Sequence, residues 1–380
     1  MTSTTRTKRL TRRRDRGEHC ESDGGRRNRK GAPRLLQGDC VEVLKELEPM
    51  SVGAVVCDPP YAIGWQGERW DSGAIREAAA RHGHGRLSKP EAFEAWCGIW
   101  GSEALRVMKP GAFLLAFGSP RTHHRLAAGL EDAGLEIRDT VIWLHSRGIS
   151  KSRHYAGGRA TTLKPAIEPI VVARRPNEGT TEETIGRHGT GALNVEDCRV
   201  EGRHPANAVV THDEGCTAEA CAPSCAAALL DAAAEGGEGG VGTQLRPTRF
   251  LYCPKPTRTE RDAGCEEFPE QAFNLLPSTG KSRPTRNPHP TLKPIELMRW
   301  LVRLACPAGD LVLDPFMGSG TTGVAAALER RRFCGIEKEE GFVEIARARI
   351  DHWASGAGRR AGDDAVGSPA HRPLGSRRRR

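Results

Sequence analysis

The chain is 380 residues long, with a formal net charge of +9, 37% apolar residues and 12 cysteines, enough for one sizeable α/β domain and an inserted or smaller one. No apolar core follows the N-terminal arginines, and no apolar run approaches the ~20 residues of a membrane helix, so neither secretion nor membrane insertion is expected and a cytoplasmic protein is. Its cysteines are then expected to be reduced, buried or metal-bound rather than paired in disulfides.

Residues 1–34 carry 12 Lys/Arg against 4 Asp/Glu, and residues 355–380 carry 7 against 2. Disordered basic arms at 1–33 and 355–380 therefore flank a mildly acidic middle, and they suit either phosphate contact without sequence choice or solubility alone. Residues 34–38 read as a short strand ending at Asp39, and residues 41–47 as a helix that Asp39 could cap. SVGAVVC at 51–57 is β-branched without alternation, as in a buried parallel strand. It runs into Asp58-Pro59-Pro60-Tyr61, a turn that two prolines make rigid. Cys57, inside the strand, is expected to be a buried thiol. Residues 62–90, with Trp65 and Trp70 among Gly, Arg and His, read as a loop able to close over a site. Residues 90–105 have helical spacing, with Phe93, Trp96, Trp100 and Leu105 inward. AFLLAFG at 112–118 is a strand and 121–133 a helix. DTVIWLH (139–145) and EPIVVA (168–173) form a strand pair flanking a loop at 146–165.

From about residue 174 to 286 the hydrophobic rhythm fails, and Gly, Pro, Thr and charged residues dominate. Inside this stretch lies His212-x3-Cys216-x4-Cys221-x3-Cys225. Its spacing is close to that of a zinc site but lacks paired C-x2-C knuckles, so structural zinc and unliganded thiols both stay open. AEGGEGGVG at 234–242 is a linker. Ser278 to Ser282 imitate the end of a phosphate-binding loop, but Leu275 stands where its first glycine belongs, which rejects a nucleotide triphosphatase.

NPHPTLKP at 287–294 opens a helix over 295–305. LVLDPFMGSGTTGVAAA at 311–327 then passes from an apolar strand through a glycine turn into a small-residue helix. Its glycines allow a tight turn and close approach to a ligand, and the first helical amides favour a polar or anionic group. Gly318-x-Gly320-x-x-Gly323 also fits the dinucleotide fingerprint, with Glu337 after the next strand (333–336) placed to hold ribose hydroxyls. Only 57 residues follow Gly323, too few to complete a doubly wound sheet, so the missing strands come from upstream. A helix over 341–353 closes the fold.

With DPPY early and DPF-x-GSG late, the chain resembles the amino-group (N6-adenine or N4-cytosine) DNA methyltransferases in their beta, circularly permuted motif order, over roughly residues 34–353. The resemblance implies an α/β, doubly wound, Rossmann-like sheet of seven strands, six parallel and one antiparallel, with markers at Arg34, Val52, Ala112, Asp139, Glu168, Leu311 and Phe333. It implies S-adenosylmethionine as cofactor, duplex DNA as substrate, a restriction endonuclease as candidate partner, and a monomer or homodimer. It divides the chain into a catalytic half (34–175), an irregular target-recognition insertion (176–286) and a cofactor half (287–354). By the same resemblance Asp58, Pro59, Pro60 and Tyr61 are catalytic. Cofactor contacts fall to Asp39, to His289, Thr291 and Lys293 of an H-P-T-x-K-P motif, to Asp314, Pro315, Phe316, Gly318, Ser319, Gly320 and Thr321 of the glycine turn, and to Glu337. In the insertion, Arg203, His204, Asn207, Arg246, Arg249, Lys255, Arg258 and Arg261 carry groups able to read base edges or grip phosphates.

The chemistry fits the residues. An exocyclic amine is a poor nucleophile because its lone pair is delocalised into the ring. The Asp58 carboxylate accepting one N–H, with the Pro59 carbonyl accepting the other, would localise that pair and aim it at a methyl donor. Tyr61 offers a ring on which an extruded base can stack. No covalent nucleophile is required. The Asp-first tetrapeptide leans toward adenine by resemblance, although the same geometry would serve cytosine. Methylation of RNA or of a protein amide would use the same logic. A nicotinamide-dependent dehydrogenase would leave Asp58 to Tyr61 without a role, and a non-catalytic DNA-binding protein would leave the whole constellation idle.

Overall fold

The computed structural model describes residues 32–64, 68–85, 87–145, 153–200, 257–273 and 283–356, together with 202, 204–212, 216, 222, 225 and 251–253. Nearly all of the two expected basic arms, the expected linker at 234–242 and the Ser278–Ser282 stretch lie outside these residues.

Residues Pro33–Arg380 form one compact unit. In chain order its elements are β1 (Arg34–Gln37), α1 (Cys40–Lys45), β2 (Val52–Cys57), α2 (Arg69–Arg81), α3 (Lys89–Val107), β3 (Met108–Phe117), α4 (His123–Asp132), β4 (Glu136–Leu144), the small pair β5 (His154–Tyr155) and β6 (Arg159–Ala160), β7 (Ile167–Arg174), α5 (Thr181–His188), β8 (Ala208–Thr211), β9 (Leu251–Cys253), α6 (Arg258–Asp262), the pair β10 (Gln271–Phe273) and β11 (Arg283–Thr285), α7 (Ile295–Ala305), β12 (Leu311–Asp314), α8 (Thr321–Leu328), β13 (Arg332–Glu337) and α9 (Glu340–Ala354).

One sheet organises them, in the order β1-β13-β12-β2-β3-β7-β4-β8-β9. All seven expected strands are present. β7 runs antiparallel to both its neighbours, β3 and β4, and the other pairings are parallel. The permutation is visible in register: β12, late in the chain, lies between β13 (Leu313↔Cys334) and β2 (Leu313↔Val55). β3 shows how the sheet is covered. Phe113, Leu115 and Phe117 enter the core with α7, α8 and α9, while Leu114 and Ala116 face the core built on α3, where Phe93, Trp96 and Trp100 are buried. A doubly wound sheet buries both faces, so this strand reads as a continuous apolar run.

Two expectations need correction. Residues 62–90 are not all loop, because α2 occupies Arg69–Arg81 and buries Asp71, Ile75, Ala78 and Ala79. The alanine-rich run AIREAAAR has high helix propensity, and the spacing of those four residues forms one face. The sheet also does not stop at seven strands. β8 pairs with β4 (Trp143↔Val209) and β9 with β8 (Val210↔Tyr252), both drawn from the stretch expected to be irregular. The run AVVT at 208–211 has strand composition, and its addition covers the unpaired edge that β4 would otherwise present. Trp143 Nε1 fastens the join by donating to Thr211 Oγ1 at 2.6 Å.

Asp39, Asp58, Asp314 and Glu337 stand at or just beyond the carboxyl ends of β1, β2, β12 and β13, four adjacent strands. The chain order reverses at β12, and that is where open α/β sheets bind ligands.

Candidate active site

The glycine turn is held from beneath. Asp314, buried at the end of β12, accepts from the Phe316 amide (3.0 Å) and from Thr322 Oγ1 (2.5 Å), tying the turn to the first residues of α8. Burial pushes its pKa up to about 7 against these hydrogen bonds. Gly318 and Gly320 adopt φ of 53° and 82°, which other residues reach only with strain. A Cβ on Gly318 would stand 2.5 Å from His289 Nε2, and one on Gly320 would stand 2.7 Å from Ala346 Cβ of α9. Gly323 has a packing role: a Cβ there would collide with Ile350 and Phe333, so it sets how closely α8 approaches α9 and the sheet. Arg349, fully buried on α9, donates to Ser319 O (2.6 Å) and approaches Ser319 Oγ (3.3 Å) and Thr321 Oγ1 (3.2 Å). Burial pulls its pKa down to about 10.

Glu337 links the turn to the next strand. Its Oε2 accepts from the Gly318 amide (2.8 Å), and its Oε1 accepts from the amides of Lys338 (2.8 Å) and Glu339 (3.0 Å). Burial raises its pKa against those bonds. Asp39 caps α1 through the Val41 amide (3.1 Å), and its other oxygen lies 4.0 Å from Arg81, so the cap is real and leaves the carboxylate at the rim of the crevice. Pro315 is buried. Phe316 packs on Trp96 and Trp100, with ring centroids 5.5 and 5.2 Å apart.

One strand away, six buried residues of β2 deliver Asp58. Its Oδ2 pairs with Lys293 Nζ at 2.5 Å, and its Oδ1 accepts from Tyr61 Oη at 2.7 Å. Tyr61 Oη also lies 3.1 Å from Glu168 Oε2, and Lys293 Nζ lies 3.5 Å from the same oxygen. His145 Nε2 stands 3.7 Å from the other Glu168 oxygen. The Lys293 ammonium sits 4.9 Å from the Phe117 ring centroid, within cation–π range. Burial raises the Asp58 pKa, Lys293 pulls it back, and Glu168 pushes it up again. For Lys293 burial acts downward, but the two carboxylates outweigh it and the net shift is upward. A single ammonium thus faces two carboxylates, and the cluster has acceptor capacity left for an incoming N–H donor.

Tyr61 is fixed by its backbone. Its amide donates to Asp71 of α2 (3.0 Å) and its carbonyl accepts from Thr122 Oγ1 (2.8 Å). The next residue, Ala62, has φ of 56°. A left-handed alanine costs roughly 1–2 kcal/mol and persists only where the surroundings impose it, and here both flanking contacts do.

The NPHPTLKP loop is clamped by the segment before it. Glu260 accepts from the Ile295 amide (2.9 Å). Arg261 donates to the carbonyls of Asn287 (3.2 Å) and His289 (2.6 Å). Asp262 accepts from Thr285 Oγ1 (2.6 Å) and from the amides of Arg286 and Asn287 (both 3.1 Å). Arg261, expected to be available for bases or phosphates, is therefore engaged with backbone carbonyls. Asn207 donates to Asp139 (3.0 Å), and Arg258 stays exposed beside Asp262 and Glu270. Arg203, Arg246, Arg249 and Lys255 lie outside the described residues. His289 is buried against Phe342 and neutral, its pKa pushed down to about 3 by burial. Half-buried Thr291 belongs to the same loop. Lys293, expected on the cofactor side, is placed on the Asp58 carboxylate.

The structure therefore brings Asp58, Tyr61 and Lys293 together, and separately Asp314, Gly318, Glu337 and His289, with Asp39 at the rim. Sequence reasoning missed Glu168, Asp71, Thr122 and the Glu260–Asp262 clamp. Glu168 left a signal, a carboxylate at the head of the apolar strand EPIVVA. The others left none, because their partners are distant in sequence.

A mostly parallel sheet with a glycine turn at its switch point and an acidic acceptor at the end of the adjacent strand defines a Rossmann-like, amino-group-modifying transferase. A family model described as DNA methylase matches residues 52–348, and the chain belongs to this amino-group (N6/N4) DNA methyltransferase family. It is 23% identical over 356 residues to the Type II methyltransferase M.HindIII of Haemophilus influenzae, covering 83% of this chain and 94% of the relative. It is 20% identical over 320 residues to the Type II methyltransferase M.HinfI of the same organism, covering 83% and 67%. Among solved structures, the PvuII DNA methyltransferase (cytosine-N4-specific) aligns with a TM-score of 0.51 at 16% identity over 83% of this chain and 85% of that one, a likeness of fold. A DNA modification methylase of Thermus thermophilus, TTHA0409, solved with S-adenosyl-L-methionine, aligns with a TM-score of 0.46 at 21% identity over 86% and 96%. Among the described residues no helix is long and apolar enough to cross a membrane.

Proposed function

We propose that the protein methylates the N6 amino group of adenine at a fixed short sequence in duplex DNA, with S-adenosylmethionine as methyl donor and the target base turned out of the helix. The observation that carries this reading is the Asp58 carboxylate, buried at the end of β2 in the crevice that also holds the glycine turn. The residues fit the donor. Gly318 leaves the turn without a side chain, Asp39 and Glu337 offer carboxylates at neighbouring strand ends, and buried His289 Nδ1 has no hydrogen-bond partner among the described residues. Asp39, Glu337, His289, Thr291 and the 314–321 turn would hold it, and a neutral His289 adds no charge to oppose a sulfonium. Bound there, S-adenosylmethionine supplies an electrophilic methyl group.

The chain's own residues do the rest. Asp58 accepts one N–H of the target amine and the Pro59 carbonyl the other, Lys293 keeps Asp58 ionised, and the Tyr61 ring, fixed at both ends of its peptide, receives the base. The insertion at 176–286 reads the sequence, and a restriction endonuclease specific for the same unmodified site is its expected companion. Such an enzyme works on the cell's DNA in the cytoplasm. The Asp-first tetrapeptide favours adenine, and N4 of cytosine is the second reading because the same acceptors serve either amine.

The test is expression in a host lacking adenine methylation, with modified bases read across its genome by single-molecule sequencing. Modified adenine in one short context supports the reading. Modified cytosine amino groups would keep the mechanism and replace the base, and absence of any mark from folded, cofactor-binding protein would overturn the DNA reading.

Two substitutions probe the halves of the site. Gly318→Ala forces a left-handed alanine against His289, so the dissociation constant for S-adenosylmethionine should rise by about tenfold or more. Calorimetry checks this, and unchanged affinity would remove Gly318 from the cofactor site. Glu168→Gln deletes a carboxylate that raises the Asp58 pKa, so the acidic limb of the rate–pH profile should move to lower pH. The maximal rate should fall by about tenfold as Tyr61 and Lys293 lose an anchor. A limb that stays in place would detach Glu168 from Asp58.

A further inference from the structure

We propose that His212, Cys216 and Cys225 bind one zinc ion at the added edge of the sheet. The proposal stands apart from the methyl-transfer site. Their ligand atoms all lie within 4.8 Å of one another, and His212 Nδ1 stands 3.5 Å from Cys225 Sγ. Two ligands at zinc distances, about 2.0–2.1 Å for nitrogen and 2.3 Å for sulfur, are about 3.6 Å apart across a tetrahedral angle. The His212–Cys225 pair already has that spacing. The Ala222 amide points to Cys216 Sγ at 3.3 Å, a contact that favours a thiolate. The donors are imidazole and thiols with no carboxylate among them, a set suited to zinc and poorly suited to magnesium or calcium.

The fold supplies a reason for an ion here. β8 and β9 are four and three residues long, and the apolar cluster at this edge contains, among the described residues, only Val210 and Cys225, with Leu144 and Cys216 packed against them. Strands this short need support beyond their own hydrogen bonds. His212 directly follows Thr211, the last residue of β8, so an ion held by His212 and two later cysteines pins the end of β8 to the chain that follows. The same Thr211 anchors Trp143, whose indole packs against His145 at 5.3 Å, and His145 faces Glu168. The ion thus backs a wall of the Asp58 cluster without touching it. Zinc usually takes four ligands. The sequence offers Cys221, outside the described residues, and the register pairs Cys253 with Thr211, so both cysteines belong in the test.

The experiment is elemental analysis of the full-length protein purified without added metal, followed by exchange of any zinc for cobalt. About one equivalent of zinc is expected, with a tetrahedral, thiolate-ligated cobalt spectrum after exchange. His212→Ala, Cys216→Ser and Cys225→Ser should each lose the metal, and whichever of Cys221→Ser and Cys253→Ser also loses it identifies the fourth ligand. Metal-free wild-type protein that takes up no cobalt would overturn the proposal, as would zinc retained in all three of the first variants or a Cys216–Cys225 disulfide in the native protein. Should those variants fail to fold, the wild-type stoichiometry and cobalt spectrum still decide.

Discussion

Replacing Asp58 with Ala lowers the rate of methyl transfer by about a thousandfold or more while leaving the affinity for S-adenosylmethionine within about twofold of wild type. The asymmetry follows from position. Asp58 belongs to β2 and the glycine turn to β12, and among the described residues no hydrogen bond joins the carboxylate to that turn. Removing the carboxylate takes away the acceptor that localises the amine's lone pair, an interaction that strengthens as the amine becomes a nucleophile. It also leaves Lys293 facing Glu168 alone, so Asp58→Asn, which keeps one acceptor oxygen, is the informative companion. Asn should recover a fraction of the rate, since a neutral amide accepts more weakly than a carboxylate. Single-turnover transfer of labelled methyl and calorimetry on the same preparations make the comparison. A variant keeping more than about a tenth of the wild-type rate would remove Asp58 from the chemistry.

The second large effect is expected at Lys293. The ammonium is the only cation paired with Asp58 among the described residues, and it pulls down a pKa that burial and Glu168 push up. Lys293→Met removes the opposing influence, so the Asp58 pKa rises further. The ionised carboxylate is the working form, so activity now appears only at higher pH. At pH 7 the rate should fall by about a hundredfold, and the deficit should shrink as the pH is raised toward about 9. Because breaking a buried ion pair from one side costs about 3–5 kcal/mol, melting of the variant should also be followed. A deficit independent of pH would mean that Lys293 acts by shape alone.

The residues that had to be particular types for local reasons were legible in sequence. Glycines at positive φ, an aspartate closing a strand into a turn and a proline-rigidified tetrapeptide leave their mark within a few positions, and all fell where expected. β-branched runs without alternation likewise marked the seven inner strands. Illegible were the contacts that cross the fold. Lys293 could be assigned to the cofactor side because its motif is contiguous, yet its partner lies 235 positions away. Asp71 and Thr122 hold the Tyr61 peptide from α2 and the start of α4, and neither has a pattern distinguishing it from an ordinary polar residue. The segment holding Glu260, Arg261 and Asp262 looked like solvated charge because sequence shows charge without showing the carbonyls and amides it meets. β8 was overlooked because four residues are too few for periodicity to register.

The placement of β12 has a consequence for synthesis. This strand fills the gap between β13 and β2, yet it starts at Leu311, while β2 is complete at Cys57. On a ribosome adding about 5–20 residues per second, the emerging N-terminal half waits for something like ten to fifty seconds with one side of β2 unpaired. An exposed apolar strand edge is a template for association with other chains, so the nascent protein passes through a window of vulnerability to aggregation that an unpermuted sheet, with its central strand made first, would shorten. Yield of soluble protein should accordingly respond to chaperone supply and growth temperature more than the stability of the finished fold would suggest.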